Sequence, residues 1–141
     1  MSMKKRFLKL FTIACGLGIA PLGFAANCSS TISNNAVANL TVPAGATCTL
    51  NSTSVEGNVN VLNGGSLILN NSSVSGNVQA NTAKVLKLVN SSVEGDVLAG
   101  QVSSTLSLNK SMISGNLQCS TLTKLQSSMS SVEGKTTGKC R

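Results

Sequence analysis

Few side chains in this sequence could do acid–base or metal chemistry. Its only acids are Glu56, Glu94, Asp96 and Glu133, and it has no His, Trp or Tyr. Glycoside hydrolysis needs two carboxylates set across one bond. Glu94 and Asp96, which flank Gly95, are the nearest such pair, and Glu56 and Glu133 stand far from them in the chain. A tetrahedral metal site calls for His or closely spaced Cys. With no His and no Cys-x-x-Cys pattern, neither a metal nor another cofactor is expected. The remaining reactive groups are five cysteines. What they can do depends on where the chain resides and how it is wound.

The first 25 residues read as an export signal. Lys4, Lys5, Arg6 and Lys9 form a positive segment, and Leu10 to Ala20 is uncharged and mostly apolar. Pro21 breaks the run, and Gly23-Phe24-Ala25 places small residues at −3 and −1 of a cut after Ala25. A cut after Ala26 is the second choice. The apolar run is short for a spanning helix. A lipoprotein reading of Cys15 fits poorly, because Thr12 stands at −3 and little apolar chain precedes it. The expected organisation is a signal peptide, 1–25, followed by one domain, 26–141. The product would be secreted or periplasmic, bacterial in the style of its signal, and not an integral membrane protein after processing.

Removing the signal changes the chemistry. The formal charge of the whole chain is +7, but four of its 11 basic residues lie before position 26, which leaves seven against four acids, a net charge of +3. Those seven are scattered. All three Phe residues (Phe7, Phe11 and Phe24) leave with the signal. The mature chain then lacks both the basic stripe and the stacking aromatics that bind nucleic acid. It also lacks rings on which a sugar could stack.

The domain repeats. Val55-Glu56-Gly57, Val74-Ser75-Gly76, Val93-Glu94-Gly95, Ile113-Ser114-Gly115 and Val132-Glu133-Gly134 space their glycines by 19, 19, 20 and 19 residues. Ala38-Asn39-Leu40-Thr41-Val42 is a degenerate earlier copy. A fixed short period of this kind marks a solenoid. Two residues after the glycine stand Val59, Val78, Val97 and Leu117, and four after it Val61, Ala80, Ala99 and Cys119. Alternation by two is the mark of a strand with one buried face. Leu67, Leu86, Leu106 and Leu125 make another column, and Leu50, Leu69, Leu88 and Leu108 a fourth. Five to six coils of about 19 residues are expected, stacked as a single-domain, all-β parallel β-helix with strands about 4.8 Å apart. A β-sandwich with glycine turns would not keep its columns in register over such distances. Helices are disfavoured by the Val, Thr, Ser, Asn and Gly content.

Three polar columns are expected to face outward. One is Asn39, Asn58, Asn77, Asp96 and Asn116, whose side-chain amides can bond from coil to coil. Another is Thr53, Ser72, Ser91, Ser111 and Ser130. The third is Glu56, Ser75, Glu94, Ser114 and Glu133, whose alternation separates like charges by about 10 Å, near the screening length at physiological salt.

Cys15 leaves with the signal, and Cys28, Cys48, Cys119 and Cys140 remain. An even number in an exported chain reads as disulfides. Cys28 and Cys48 lie 20 residues apart, and Cys119 and Cys140 lie 21 apart, each close to one coil. Neighbouring coils suit a disulfide's span, so the expected pairs are Cys28–Cys48 and Cys119–Cys140, one clip at each end. Thr136 stands where earlier coils carry Val or Leu, and with Lys135, Lys139 and Arg141 it makes the last coil polar, which discourages edge-to-edge stacking.

The rung Val93-Glu94-Gly95-Asp96-Val97-Leu98-Ala99 resembles the repeats of bactofilins, bacterial scaffold proteins that polymerise as right-handed β-helices. Val42-Pro43-Ala44-Gly45-Ala46-Thr47-Cys48, Gly76-Asn77-Val78-Gln79, Gly115-Asn116-Leu117-Gln118-Cys119 and the terminal Gly138-Lys139-Cys140 resemble a group of uncharacterised exported bacterial proteins more closely. The resemblance covers nearly all of residues 28–140. It implies a right-handed β-helix and carries no activity. Unlike bactofilins, this chain has a signal peptide and disulfides, which speak against cytoplasmic polymerisation.

The expected function is therefore that of a non-catalytic structural or surface-interaction protein of the cell envelope or extracellular space, whose partner the sequence does not name. A self-assembling, bactofilin-like scaffold is the alternative, with a monomer favoured because the ends look closed. A polysaccharide-acting enzyme would need loop insertions to build a groove, whereas these coils vary by one residue. An ice-binding face would need a two-wide Thr array, whereas the columns here are Ser and Asn.

Overall fold

Val, Leu and Ile at every second position favour extended chain with one buried face, and this is how the backbone runs. The structure is a computed structural model describing residues 25–138 and 140. The proposed signal lies outside the described residues apart from Ala25, as do Lys139 and Arg141. All strands pair in parallel, and they form three sheets. The first sheet stacks Thr31–Ser33, Thr47–Asn51, Ser66–Asn70, Val85–Val89, Thr105–Asn109 and Leu125–Ser128. The second stacks Ala36–Val37, Ser54–Val55, Ser73–Val74, Ser92–Val93, Met112–Ile113 and Ser131–Val132. The third has seven strands and runs from Ala25–Asn27 to Thr136–Thr137. Each coil visits the three sheets in turn, which gives about six turns. The fold is the expected parallel β-solenoid.

Register follows the repeat. Leu67 pairs with Leu86 and Leu86 with Leu106. Val55, Val74, Val93, Ile113 and Val132 form one continuous column. Leu40, Val59, Val78, Val97 and Leu117 form another. These residues are fully buried through the middle coils. The core is a stack of aliphatic layers, each closed only by its neighbours. Both ends loosen, with Ile32 and Val37 partly buried at the start and Leu125 and Val132 partly buried at the finish. At the last coil Leu117 pairs with Thr136, and Leu108 with the exposed Ser127.

The 20-residue coil absorbs its extra residue at the corner between the third and first sheets. There the Lys84 carbonyl accepts from both Ser104 N–H (2.9 Å) and Thr105 N–H (3.2 Å). The ladders on either side keep their register.

The repeated glycine has a steric cause. A Cβ on Gly95 would stand 2.6 Å from the Gly76 carbonyl oxygen and collide with the Asn77 side chain. This corner brings successive coils together so tightly that no side chain fits.

Candidate functional site

Cys28, Cys48, Cys119 and Cys140 sit where their spacing placed them. Cys28 bonds Cys48 with Cα atoms 5.3 Å apart, and Cys119 bonds Cys140 at 5.4 Å. Cys28, Cys48 and Cys119 are buried, and Cys140 is partly exposed. These bonds tie the first and last coils to their neighbours.

The carboxylates do not converge. Glu56, Glu94 and Glu133 lie in one exposed column beside the second sheet, with Ser75 and Ser114 between them. Asp96 is used by the backbone: one of its oxygens accepts from Asn116 N–H at 2.8 Å. Asn39, Asn58, Asn77 and Asn116 do the same for the next coil's N–H groups, at 2.8–2.9 Å. The expected coil-to-coil bonding of this column thus runs from side-chain oxygen to backbone N–H. Only an acceptor is needed, which is why Asp substitutes for Asn. Among the described residues no three His, Cys, Asp or Glu side chains group as metal ligands.

The Thr53–Ser130 column corrects the sequence reading. It was expected outside, yet Thr53, Ser72, Ser91 and Ser111 are 2–6% exposed. Each of Ser72, Ser91 and Ser111 accepts from the N–H of its column neighbour one coil earlier, at 3.1–3.2 Å. Each hydroxyl also donates to the carbonyl two residues before it, at 2.8 Å. A buried N–H must find a partner, and at this corner the strand pairing supplies none. The hydroxyl replaces the missing carbonyl, so the column turns inward.

The bend that turns it inward lies one residue earlier. Asn34, Ser52, Asn71, Asn90, Lys110 and Met129 all have φ between 50 and 54°. This left-handed conformation costs an L-residue about 1–2 kcal/mol, least for Asn. The recurrence of Asn before the Ser/Thr column was the signal available in the sequence. Its consequence is an open trough along the solenoid between the first and second sheets, with a volume of about 720 Å³.

Two rows flank the trough. One is the left-handed column, in which Asn90 Nδ2 donates to Asn71 Oδ1 at 2.6 Å. The other, on the outer face of the second sheet, is Ser54, Ser73, Ser92, Met112 and Ser131. Among the described residues the hydroxyls of Ser54, Ser73 and Ser92 engage in no hydrogen bond, whereas those of the buried column behind them are fully used. The trough changes character along its length. Through coils two to four it is Ser and Asn; at its C-terminal end it carries Lys110, Met112 and Met129. Met112 is 42% and Met129 75% exposed. Hydroxyls and amides predominate in its lining, groups that can both donate and accept hydrogen bonds.

Comparison with known proteins finds no matching family model, no matching curated sequence and no matching solved structure. Among the described residues no helix is long and apolar enough to cross a membrane.

Proposed function

We propose that this chain is an exported, non-catalytic interaction protein of the cell envelope or extracellular space, presenting one long side of a rigid solenoid to an extended partner. One observation carries this reading. Along the trough Ser54, Ser73 and Ser92 recur once per coil through coils two to four, and among the described residues the fold does not use their hydroxyls. Hydrogen-bonding groups on stacked strands are preorganised, so binding them costs little ordering. The carboxylates support it by default: three are spaced along an exposed column and the fourth caps a backbone N–H. Export rests on the character of residues 1–25 and on disulfides that need an oxidising compartment.

The oxidised mature protein, tagged at its C-terminus, should be retained by washed envelopes. Arg at Ser73 and Ser92 should abolish retention, and Arg at Gln79 and Gln118, on the third sheet, should not. Equal retention of both double variants would overturn the reading.

The bactofilin-like alternative, a self-assembling scaffold, draws on the ends. Among the described residues the outermost strands at both ends lie beside partly buried aliphatics, Ile32 and Val37 at one end and Leu125 and Val132 at the other. Sedimentation separates the two: a monomer at every concentration removes the scaffold.

A further inference from the structure

The trough's chemistry narrows its occupant. It is nearly neutral, Lys110 being its one charged lining residue, so a polyanion finds little to pair with. Its middle is hydroxyl and amide, so an apolar segment would bury the hydroxyls of Ser54, Ser73 and Ser92 without partners, which is unfavourable. A ligand rich in hydroxyls, with both donors and acceptors at short regular intervals, satisfies them. The trough spans six coils, from Asn35 to Ser131, roughly 24 Å at the strand spacing, which calls for a linear chain of several units.

The C-terminal end adds a second requirement. Both flanking rows break their residue type there, and they break together: Met112 replaces Ser in one, and Lys110 and Met129 replace Asn or Ser in the other. Lys110 and Met129 hold this in left-handed backbone (φ 51 and 52°) where Asn serves at less cost. Strain retained at an exposed position points to use. Two flexible thioether side chains beside hydroxyls and amides suit small apolar groups borne on a polar chain, such as methyls.

Resting on the interaction reading above, we infer that the trough binds a linear N-acetylated amino-sugar polymer, of the kind that forms the glycan strand of a bacterial wall, along the solenoid axis. Sugar hydroxyls would meet Ser54, Ser73 and Ser92, acetamido N–H and C=O groups would meet Asn71 and Asn90, and acetyl methyls would pack on Met112 and Met129. No bond is made or broken.

The test is co-sedimentation of the oxidised mature protein with purified peptidoglycan sacculi, chitin and cellulose, and with washed envelopes. Retention on sacculi and chitin is expected, with at least about tenfold weaker binding to cellulose, which lacks the acetamido group. The double variant Met112→Ser, Met129→Asn installs residues that those columns already carry in other coils, so it should fold. It should bind sacculi about fivefold or more weakly. Muramidase digestion of the envelopes should release the protein and proteinase treatment should not. Equal binding to cellulose, or unimpaired binding by the double variant, overturns the inference. Release by proteinase but not muramidase overturns it while leaving the interaction reading intact. Failure to bind undigested envelopes at all sinks both.

Discussion

Replacing Ser91 by Ala tests the buried hydroxyl ladder. Ser91 is 6% exposed; its hydroxyl accepts from Ser72 N–H at 3.1 Å and donates to the Val89 carbonyl at 2.8 Å. Val89 O keeps a second partner, the Asn71 N–H at 3.0 Å. Ser72 N–H keeps none, and a buried donor without a partner costs about 1–3 kcal/mol. Ser91→Ala should therefore destabilise the oxidised protein by about 2 kcal/mol, close to a 1 M shift of the urea midpoint at the m-values of small domains. Ser130→Ala removes the same bond, Ser111 N–H to Ser130 Oγ at 3.0 Å, but Ser130 is partly exposed and water can replace it. It should cost under about 1 kcal/mol. Ser91→Thr should restore most of the loss, because Thr53 already occupies this column. Stacked repeats can depart from two-state unfolding, so exchange of the Ser72 amide gives a local readout. It should quicken about thirtyfold in Ser91→Ala, as 2 kcal/mol demands. Equal costs for the Ser91 and Ser130 alanines, or a Thr worse than Ala at position 91, would refute the argument that the hydroxyl stands in for a strand carbonyl.

Other substitutions probe the remaining corners. Lys110→Asn should raise stability by about 0.5–1 kcal/mol in the same urea titration by easing the left-handed backbone; a loss would mean that the Lys stem packs usefully. Gly95→Ala should lower stability by about 2–3 kcal/mol, since its Cβ would push against the Gly76 carbonyl; near-neutrality by thermal melting would show that the coils can part cheaply. Asp96→Asn should change stability by less than about 0.5 kcal/mol, whereas Asp96→Ala should cost about 1 kcal/mol, because the site needs an acceptor rather than a charge. Mild reductant should open Cys119–Cys140 before Cys28–Cys48, because Cys140 alone of the four is partly exposed; mass spectrometry of alkylated thiols would read the order. Each clip closes a loop of 20–21 residues, so loss of either should cost about 3 kcal/mol.

The solenoid was legible because its cause is periodic. Val55, Val74, Val93, Ile113 and Val132 recur at the coil length, and parallel strands stacked in register can bury such a column without further information. The cysteine partners followed from the same period. The Ser column was misjudged for a physical reason as well: hydroxyls usually face water, and only the left-handed bend at Asn71 and Asn90 turns Ser72 and Ser91 inward against unpaired N–H groups. Asp96 looked like half of a carboxylate pair until its oxygen was found on the Asn116 amide.

From sequence alone came the length of the coil, which residues line the core and where the ends are clipped, since each depends on spacing along one chain. The trough, its unused hydroxyls and the neighbourhood of Lys110, Met112 and Met129 exist only once coils are stacked. Those residues lie in adjacent turns, and it is the angle of each corner, set by backbone conformation rather than by residue type, that brings them to one side.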